Sequence, residues 1–206
     1  MAVKPGHQMQ TAFTGADDDA SSDRVLIARM AGGDADAFAL LVKRHVGPVS
    51  AIARRMLGDD SEAEDVTQEA FLKLWRLGAG LTIDGAGVRP WLRRVVSNLA
   101  IDRIRARRRT NVTDDVPEVA VPAEQLKSLE GDAVAERVDH ALQGLPERQR
   151  LALTLFHFDG LSQREVAATM DISDEAVESL LARGRRGLKV ALANDWRELV
   201  AEGEVD

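Results

Sequence analysis

Apolar residues recur at intervals of three and four along most of this chain, a spacing that predicts helices rather than strands. The pattern begins at Asp23. Val25, Leu26, Ala28 and Arg29 lead to a break at Gly32-Gly33, after which Phe38, Leu41, Val42, His45 and Val49 form one stripe, with Pro48 placed to kink or restart the helix. A second break, Gly58-Asp59-Asp60, precedes Ser61. With Glu64 three residues on, this spacing predicts a capping box that opens a helix running to about Leu77. Ala63, Val66, Ala70, Phe71, Leu74 and Trp75 form its expected buried arc, while Asp65, Gln68, Glu69 and Leu72 share the opposite side.

Residues 78–88 carry Gly78, Gly80, Gly85 and Gly87 and read as a loop. A long helix follows from near Pro90, with Trp91, Leu92, Val95, Val96, Leu99 and Ala106 on one face. Arg93, Arg94, Ser97, Asn98, Arg105 and Arg108 share the other. Periodicity then lapses from 110 to about 131, through Pro117 and Pro122, which predicts an acidic interdomain linker. A helix from about Ala133 to Gln143 opens a second module, and Pro146 stands where a first helical position would be. That helix should end at Asp159-Gly160. Ser162 and Glu165 form a capping box for a short helix, and Ser173 caps a last one from Asp174 towards Trp196. Two helices about four residues apart outline a helix-turn-helix. Its small crossing residue is Ala167, and Val166, Met170, Ile172, Val177 and Leu180 take the apolar positions. Asp171 sits in the turn, where a positive φ is needed and aspartate is better tolerated than most residues.

The expected class is therefore all-α, with two small helical domains joined by a flexible acidic linker. Residues 1–22 and 197–206 read as tails, 23–109 as the first domain, 110–132 as the linker and 133–196 as the second domain. Composition narrows the function. The absence of cysteine excludes disulfides, thiol chemistry and zinc sites with Cys ligands. The amino terminus lacks a signal-peptide layout and no apolar run is long enough to span a bilayer, so a soluble cytoplasmic protein without membrane insertion is expected.

A net charge of −7 argues against nucleic-acid binding until its distribution is examined. From Arg89 to Arg109 there are eight arginines and a single acid, Asp102, while acids gather near Asp17, between Asp59 and Glu69, and from Asp114 to Asp139. Such segregation predicts DNA contact in one place and protein contact in others. On the last helix Ser173, Ala176, Ser179 and Arg183 are expected outside, with Arg185 and Arg186 nearby and Glu178 as an acid among them. The polar ring around Leu72 on the 61–77 helix suits a protein interface. Catalysis finds no support: His7, His45, His140 and His157 lack metal-ligand spacing, no GxSxG elbow occurs, and the glycine loop follows no strand and has no phosphate-cradle spacing. No metal, cofactor or small-molecule substrate is expected.

Four blocks now stand in order: Ala63-Glu-Asp-Val-Thr-Gln-Glu-Ala-Phe-Leu-Lys-Leu-Trp75, Trp91-Leu-Arg-Arg-Val-Val-Ser-Asn-Leu-Ala-Ile-Asp-Arg103, Leu145-Pro-Glu-Arg-Gln-Arg150 and the helix-turn-helix. Together, over residues 24 to 193, they resemble the extracytoplasmic-function sigma factors of the sigma-70 family. The resemblance implies a first domain like sigma region 2 and a second like sigma region 4. It implies that Asp65, Gln68, Glu69 and Leu72 dock on the β′ clamp helices of core RNA polymerase. It further implies that the arginine helix opens the minus-ten element and holds a flipped base, with Asn98 in the pocket and Arg93, Arg94, Ser97, Arg105 and Arg108 around it. The second domain would read the minus-thirty-five element through Ser173, Ser179, Arg183, Arg185 and Arg186 and lie near the β flap. An anti-sigma factor is the implied regulatory partner.

The chain departs from the family pattern in two places. Glu178 and Leu180 stand where recognition helices of the family usually carry basic residues, and Leu81-Thr82-Ile83 lacks the aromatic often found near the start of the loop. Two rival readings share the fold. A polymerase-independent helix-turn-helix regulator would not need a basic helix in both modules, and a sigma mimic that sequesters an anti-sigma factor would not need the arginine helix.

Overall fold

In a computed structural model of the chain, the structure describes residues 23–78, 87–111 and 131–203. The described residues form helices and turns with no strand. Helix α1 covers residues 23–31, followed by α2 (Ala35–Leu57), α3 (Asp60–Leu77) and α4 (Val88–Asn111). The second group comprises α5 (Gly131–Gln143), α6 (Glu147–Leu153) with a π-helical turn at Thr154–Phe158, α7 (Gln163–Met170) and α8 (Asp174–Gly203). The expected linker core at 112–130, the amino-terminal tail, residues 204–206 and most of the glycine loop lie outside the described residues, whereas α8 continues to Gly203 through positions from 197 that were expected to be a tail.

Local chemistry accounts for the helix ends. Asp34 caps α2, its carboxylate accepting from the N–H groups of Asp36 and Ala37 at 3.0 Å each. Pro48 neither breaks nor restarts α2, which stays continuous to Leu57. The opening of α3 differs from expectation: Asp59 is the cap, accepting from the Glu62 N–H at 2.8 Å, so the helix starts one residue before Ser61. At α7 the capping box forms as expected, with Ser162 Oγ accepting from the Glu165 N–H at 3.3 Å and Glu165 Oε2 accepting from the Ser162 N–H at 2.8 Å. Pro146 is the cap rather than the first residue of α6, its ψ of 139° still extended. The helix after it also fails to remain α to its end. It opens into the π turn, which closes through the Asp159 N–H to Thr154 carbonyl at 3.1 Å.

The core of the first group is formed where α2, α3 and α4 face one another, with Leu41, Ile52, Met56, Val66, Leu74, Leu92 and Val96 almost fully buried. Beneath α1, Asp23 and His45 are buried together, Nε2 to Oδ2 at 2.9 Å, and Arg44 also pairs with Asp23. In the second group α6 crosses α8 so closely that a Cβ on Gly184 would lie 2.9 Å from Leu153 Cδ1.

The two groups are in contact: one cluster of buried apolar residues includes both, and polar contacts add to it at the end of α2. Gly58 ends α2 at φ 68°, leaving the last carbonyls of the helix without helical donors. Gln143 Nε2 donates to the Arg55 carbonyl at 2.7 Å, and Arg150 donates to the Met56 carbonyl. Arg150 is 3% exposed and also donates to Gln143 and to the Leu145 carbonyl. Its pKa is pushed down to about 10, first by burial and then by nearby Arg108 and Arg107, so it stays charged at neutral pH.

Two outcomes follow for stability. Arg150→Ala should cost ~3 kcal/mol in urea unfolding, because buried carbonyls lose their donor, and Arg150→Lys should recover only part of it, one ammonium being unable to span the same acceptors. Burial, partly opposed by Asp23, lowers the His45 pKa below its ordinary value, so the unfolded chain binds this proton first as pH falls. The stability contribution is present above about pH 6.5 and is lost towards the lower folded value. His157, also lowered by burial, adds in the same sense. His45→Gln should therefore flatten, but not abolish, the decline in urea midpoint measured below about pH 6.5.

Candidate nucleic-acid interface

Helix α4 buries Val88, Leu92, Val96, Ala100 and Ile104, a strict four-residue stripe. Trp91, Val95 and Leu99 are half-buried beside it. Ser97 departs from the expected outer face. It is 1% exposed with its Oγ lacking a hydrogen-bond partner, because it lies next to Val96 on the packed side of the turn. Asn98, Arg94, Arg105 and Arg108 are exposed as predicted.

The exposed arginines of α4 do not all face open water. Asp159, at the end of the π turn, pairs with Arg93 and lies 3.5 Å from Arg89 Nη2. Glu147, at the start of α6, meets Arg105 Nε at 3.4 Å and Arg108 Nη1 at 3.0 Å. Asp171 of the helix-turn-helix reaches Arg94 Nη2 at 3.3 Å. The Glu147 carboxyl is held below its ordinary value first by its own backbone N–H and then, against burial, by Arg105 and Arg108. Arg107 is engaged within the first group, at 3.6 Å from Glu62.

Asp65, Gln68 and Leu72 are exposed on α3 and Glu69 is partly so, held in an i,i+4 pair with Lys73 at 3.2 Å. Trp75 was expected in the core but is 37% exposed. Its ring tilts against Phe38 of α2 with centroids 5.0 Å apart, so one face packs and the rest joins Leu72 at the surface. Thr67 occupies the inner arc instead, its hydroxyl donating to the Ala63 carbonyl at 2.7 Å.

In the helix-turn-helix, Ala167 is buried at the crossing with Val166 and Val177. Leu181 fills the core position assigned to Leu180, which is only half-buried. Asp171 takes φ 54° and ψ 54°, the left-handed turn inferred from the sequence. Ser173 Oγ accepts from the Ala176 N–H at 3.2 Å and so caps α8, while Ser179, Glu178, Arg183, Arg185 and Arg186 are exposed. Arg183 folds back on Ser179, Nη2 to Oγ 2.9 Å, and Arg185 lies over the Phe156 ring at 5.6 Å.

Residues 41–110 match Sigma-70 region 2, and residues 135–188 match Sigma-70, region 4. The RNA polymerase sigma-H factor of Pseudomonas aeruginosa is 34% identical over 187 residues, covering 85% of this chain and 96% of that protein. The chain belongs to the extracytoplasmic-function sigma factors of the sigma-70 family. The ECF RNA polymerase sigma-E factor of Escherichia coli is 32% identical over 180 residues, covering 81% of the chain and 92% of that factor. Among solved structures, CnrH in complex with the cytosolic domain of CnrY is 30% identical with a TM-score of 0.60, covering 84% of this chain and 99% of that one. Sigma factor RpoE bound to anti-sigma factor NepR, from Bartonella quintana, shares the fold at 24% identity and a TM-score of 0.61, covering 76% and 96%. The match to both regions accounts for the two-domain all-α architecture. No described helix is long and apolar enough to cross a membrane.

Arg150 is the residue with a structural role that sequence reasoning missed, although the Leu145-to-Arg150 block contained it. A burial signal was absent because arginine is ordinarily exposed. Asp159 was read only as a helix stop. The turn geometry yields its own prediction: Asp171→Gly should leave stability within about 0.5 kcal/mol, whereas Asp171→Val should lose ~1–2 kcal/mol by thermal unfolding, since a β-branched side chain resists positive φ.

Proposed function

We propose that this sigma factor binds core RNA polymerase and directs it to promoters, where it opens the minus-ten element and starts transcription. The observation that carries the reading is the pairing of an exposed acidic-and-leucine face on α3 with an arginine-rich α4 inside one sigma region 2 fold. Asp65, Gln68, Glu69 and Leu72 form a polar rim around an apolar centre, the composition of a protein interface. They are assigned to the β′ clamp helices. Asn98, Arg93, Arg94, Arg105 and Arg108 are assigned to minus-ten DNA, where arginines meet phosphates and a side-chain amide can hold a displaced base. Ser97 is withdrawn from that set because its hydroxyl faces the core.

Ser173, Ser179, Arg183, Arg185 and Arg186 line the outer side of the helix-turn-helix and are assigned to the minus-thirty-five element, with the same domain lying near the β flap. Glu178 removes positive charge from this helix, so its contribution to affinity rests on the arginines after it. An anti-sigma factor is the proposed regulator, in keeping with the sigma family and with a relative, CnrH, solved on the cytosolic domain of another protein. The function is one of binding and positioning, exercised in the cytoplasm with the polymerase, and involves no catalytic residue or cofactor of its own.

Run-off transcription with core polymerase on genomic promoter fragments tests these assignments. Wild type should give promoter-specific transcripts, Asp65→Arg should abolish them with loss of core binding, and Asn98→Ala should lower them about tenfold with core binding intact. Failure of the purified protein to bind core, together with binding to duplex operators alone, would replace the proposal with a polymerase-independent regulator.

A further inference from the structure

Glu178 is an acid on α8 with no cation beside it. It is exposed in the second turn of the helix, next to the buried Val177, and among the described residues no ion pair or hydrogen bond engages its side chain. Positions three and four away hold Asp174, Glu175, Leu181 and Ala182, so the helix itself offers it no charge partner at the usual spacing. We propose that Glu178 is a specificity determinant that reads a cytosine in the minus-thirty-five element, its carboxylate accepting from the exocyclic amino group in the major groove. The proposal rests on the assignment of α8 to that element made above.

Position along the helix separates this acid from the arginines. Helix-turn-helix proteins meet base edges with residues near the N-terminus of the second helix, and Glu178 is the fifth residue of α8, which starts at Asp174. Arg183, Arg185 and Arg186 lie about 7.5–12 Å further along the axis, at a rise of about 1.5 Å per residue. A carboxylate has acceptors only, so in the groove it can distinguish bases by what they donate. Cytosine presents an amino donor there. Guanine presents two acceptors, thymine an acceptor and a methyl group, and adenine an amino group flanked by the N7 acceptor, which repels the second carboxylate oxygen.

Arg183 supplies the complementary half. Its Nε donates to the Ser179 carbonyl at 3.2 Å and its Nη2 to Ser179 Oγ at 2.9 Å, which bends the guanidinium back along the helix towards the level of Glu178. An acceptor and a forked donor held side by side, without pairing to each other, match a C·G pair, whose guanine offers O6 and N7. Glu175, by contrast, is engaged at the start of the helix. Its carboxyl is held below the ordinary value first by its own backbone N–H and then by Ser173. Near phosphates a carboxylate only repels, so affinity comes from the arginines and Glu178 acts through the bases it rejects.

The test uses holoenzyme assembled from the full chain and core polymerase. A genomic promoter fragment that supports run-off transcription is randomised over its minus-thirty-five element, and the bound fraction is sequenced. Wild type should enrich cytosine on one strand about tenfold at one position. Glu178→Ala should remove that enrichment and leave the preferences at other positions as they were, while Glu178→Gln should move it towards adenine, which an amide contacts through N6 and N7. Glu136→Ala removes an exposed acid elsewhere in the second domain and should leave every preference unchanged. Identical preferences in wild type and Glu178→Ala would overturn the proposal even if overall affinity rose, because the acid would then act by charge alone. Relaxation at every position alike, or a wild-type selection without cytosine, would overturn it too. Run-off transcription by wild type is scored separately: no promoter-specific transcript would overturn the sigma assignment and this proposal with it, whereas normal transcription without a Glu178-dependent cytosine overturns this proposal alone.

Discussion

The arrangement of the two domains depends on how the end of α2 is satisfied. A helix that stops inside a protein leaves carbonyls in need of donors, and here Gly58 turns the chain away while Gln143 and Arg150 approach from the other domain. There is no room for a side chain at that turn, since a Cβ on Gly58 would lie 2.7 Å from the Gln143 side chain. The guanidinium of Arg150 is costly to bury, and a fan of carbonyl oxygens from both sides offsets that cost. One residue thus ties the α5–α6 turn to the first domain and sets where Glu147, three positions earlier, meets α4.

From that joint outward the seam becomes progressively wetter and more charged. The buried Arg150 contacts give way to the half-buried Arg93–Asp159 pair and then to exposed pairs around Arg94, Arg105 and Arg108. Hydrophobic burial holds each domain together internally, where Leu41 and Leu92 on one side and Leu142 and Leu153 on the other are dry. Between the domains a buried apolar cluster common to both is joined by hydrogen bonds and ion pairs, whose own net worth is small because water competes for the same groups.

The overall negative charge of the chain acquires a meaning in this setting. Three acids of the second domain face α4, while the outer side of the helix-turn-helix keeps Arg183, Arg185 and Arg186 exposed. The π turn contributes through position. By ending its wider hydrogen-bonded ring at Asp159, it brings that carboxylate between Arg89 and Arg93.

By itself the sequence determined what depends on neighbours along the chain. Helix periodicity, the Ser162–Glu165 box, the Ser173 cap, the left-handed Asp171 and the acid-and-leucine face of α3 all follow from contacts within a few residues, and the ordered motif blocks revealed the family. Even locally there was competition, as at α3, where Asp59 rather than Ser61 took the cap. Only the tertiary structure decided that Ser97 turns inward, that Trp75 remains at the rim and that Arg150 is buried. It alone paired Arg105 and Arg108 with Glu147, 42 and 39 residues away, and carried Arg150 to a carbonyl 94 residues back. Periodicity says which face of a helix is polar, but not whether water, DNA or another domain will lie against it, because that depends on how separate helices are brought together in space.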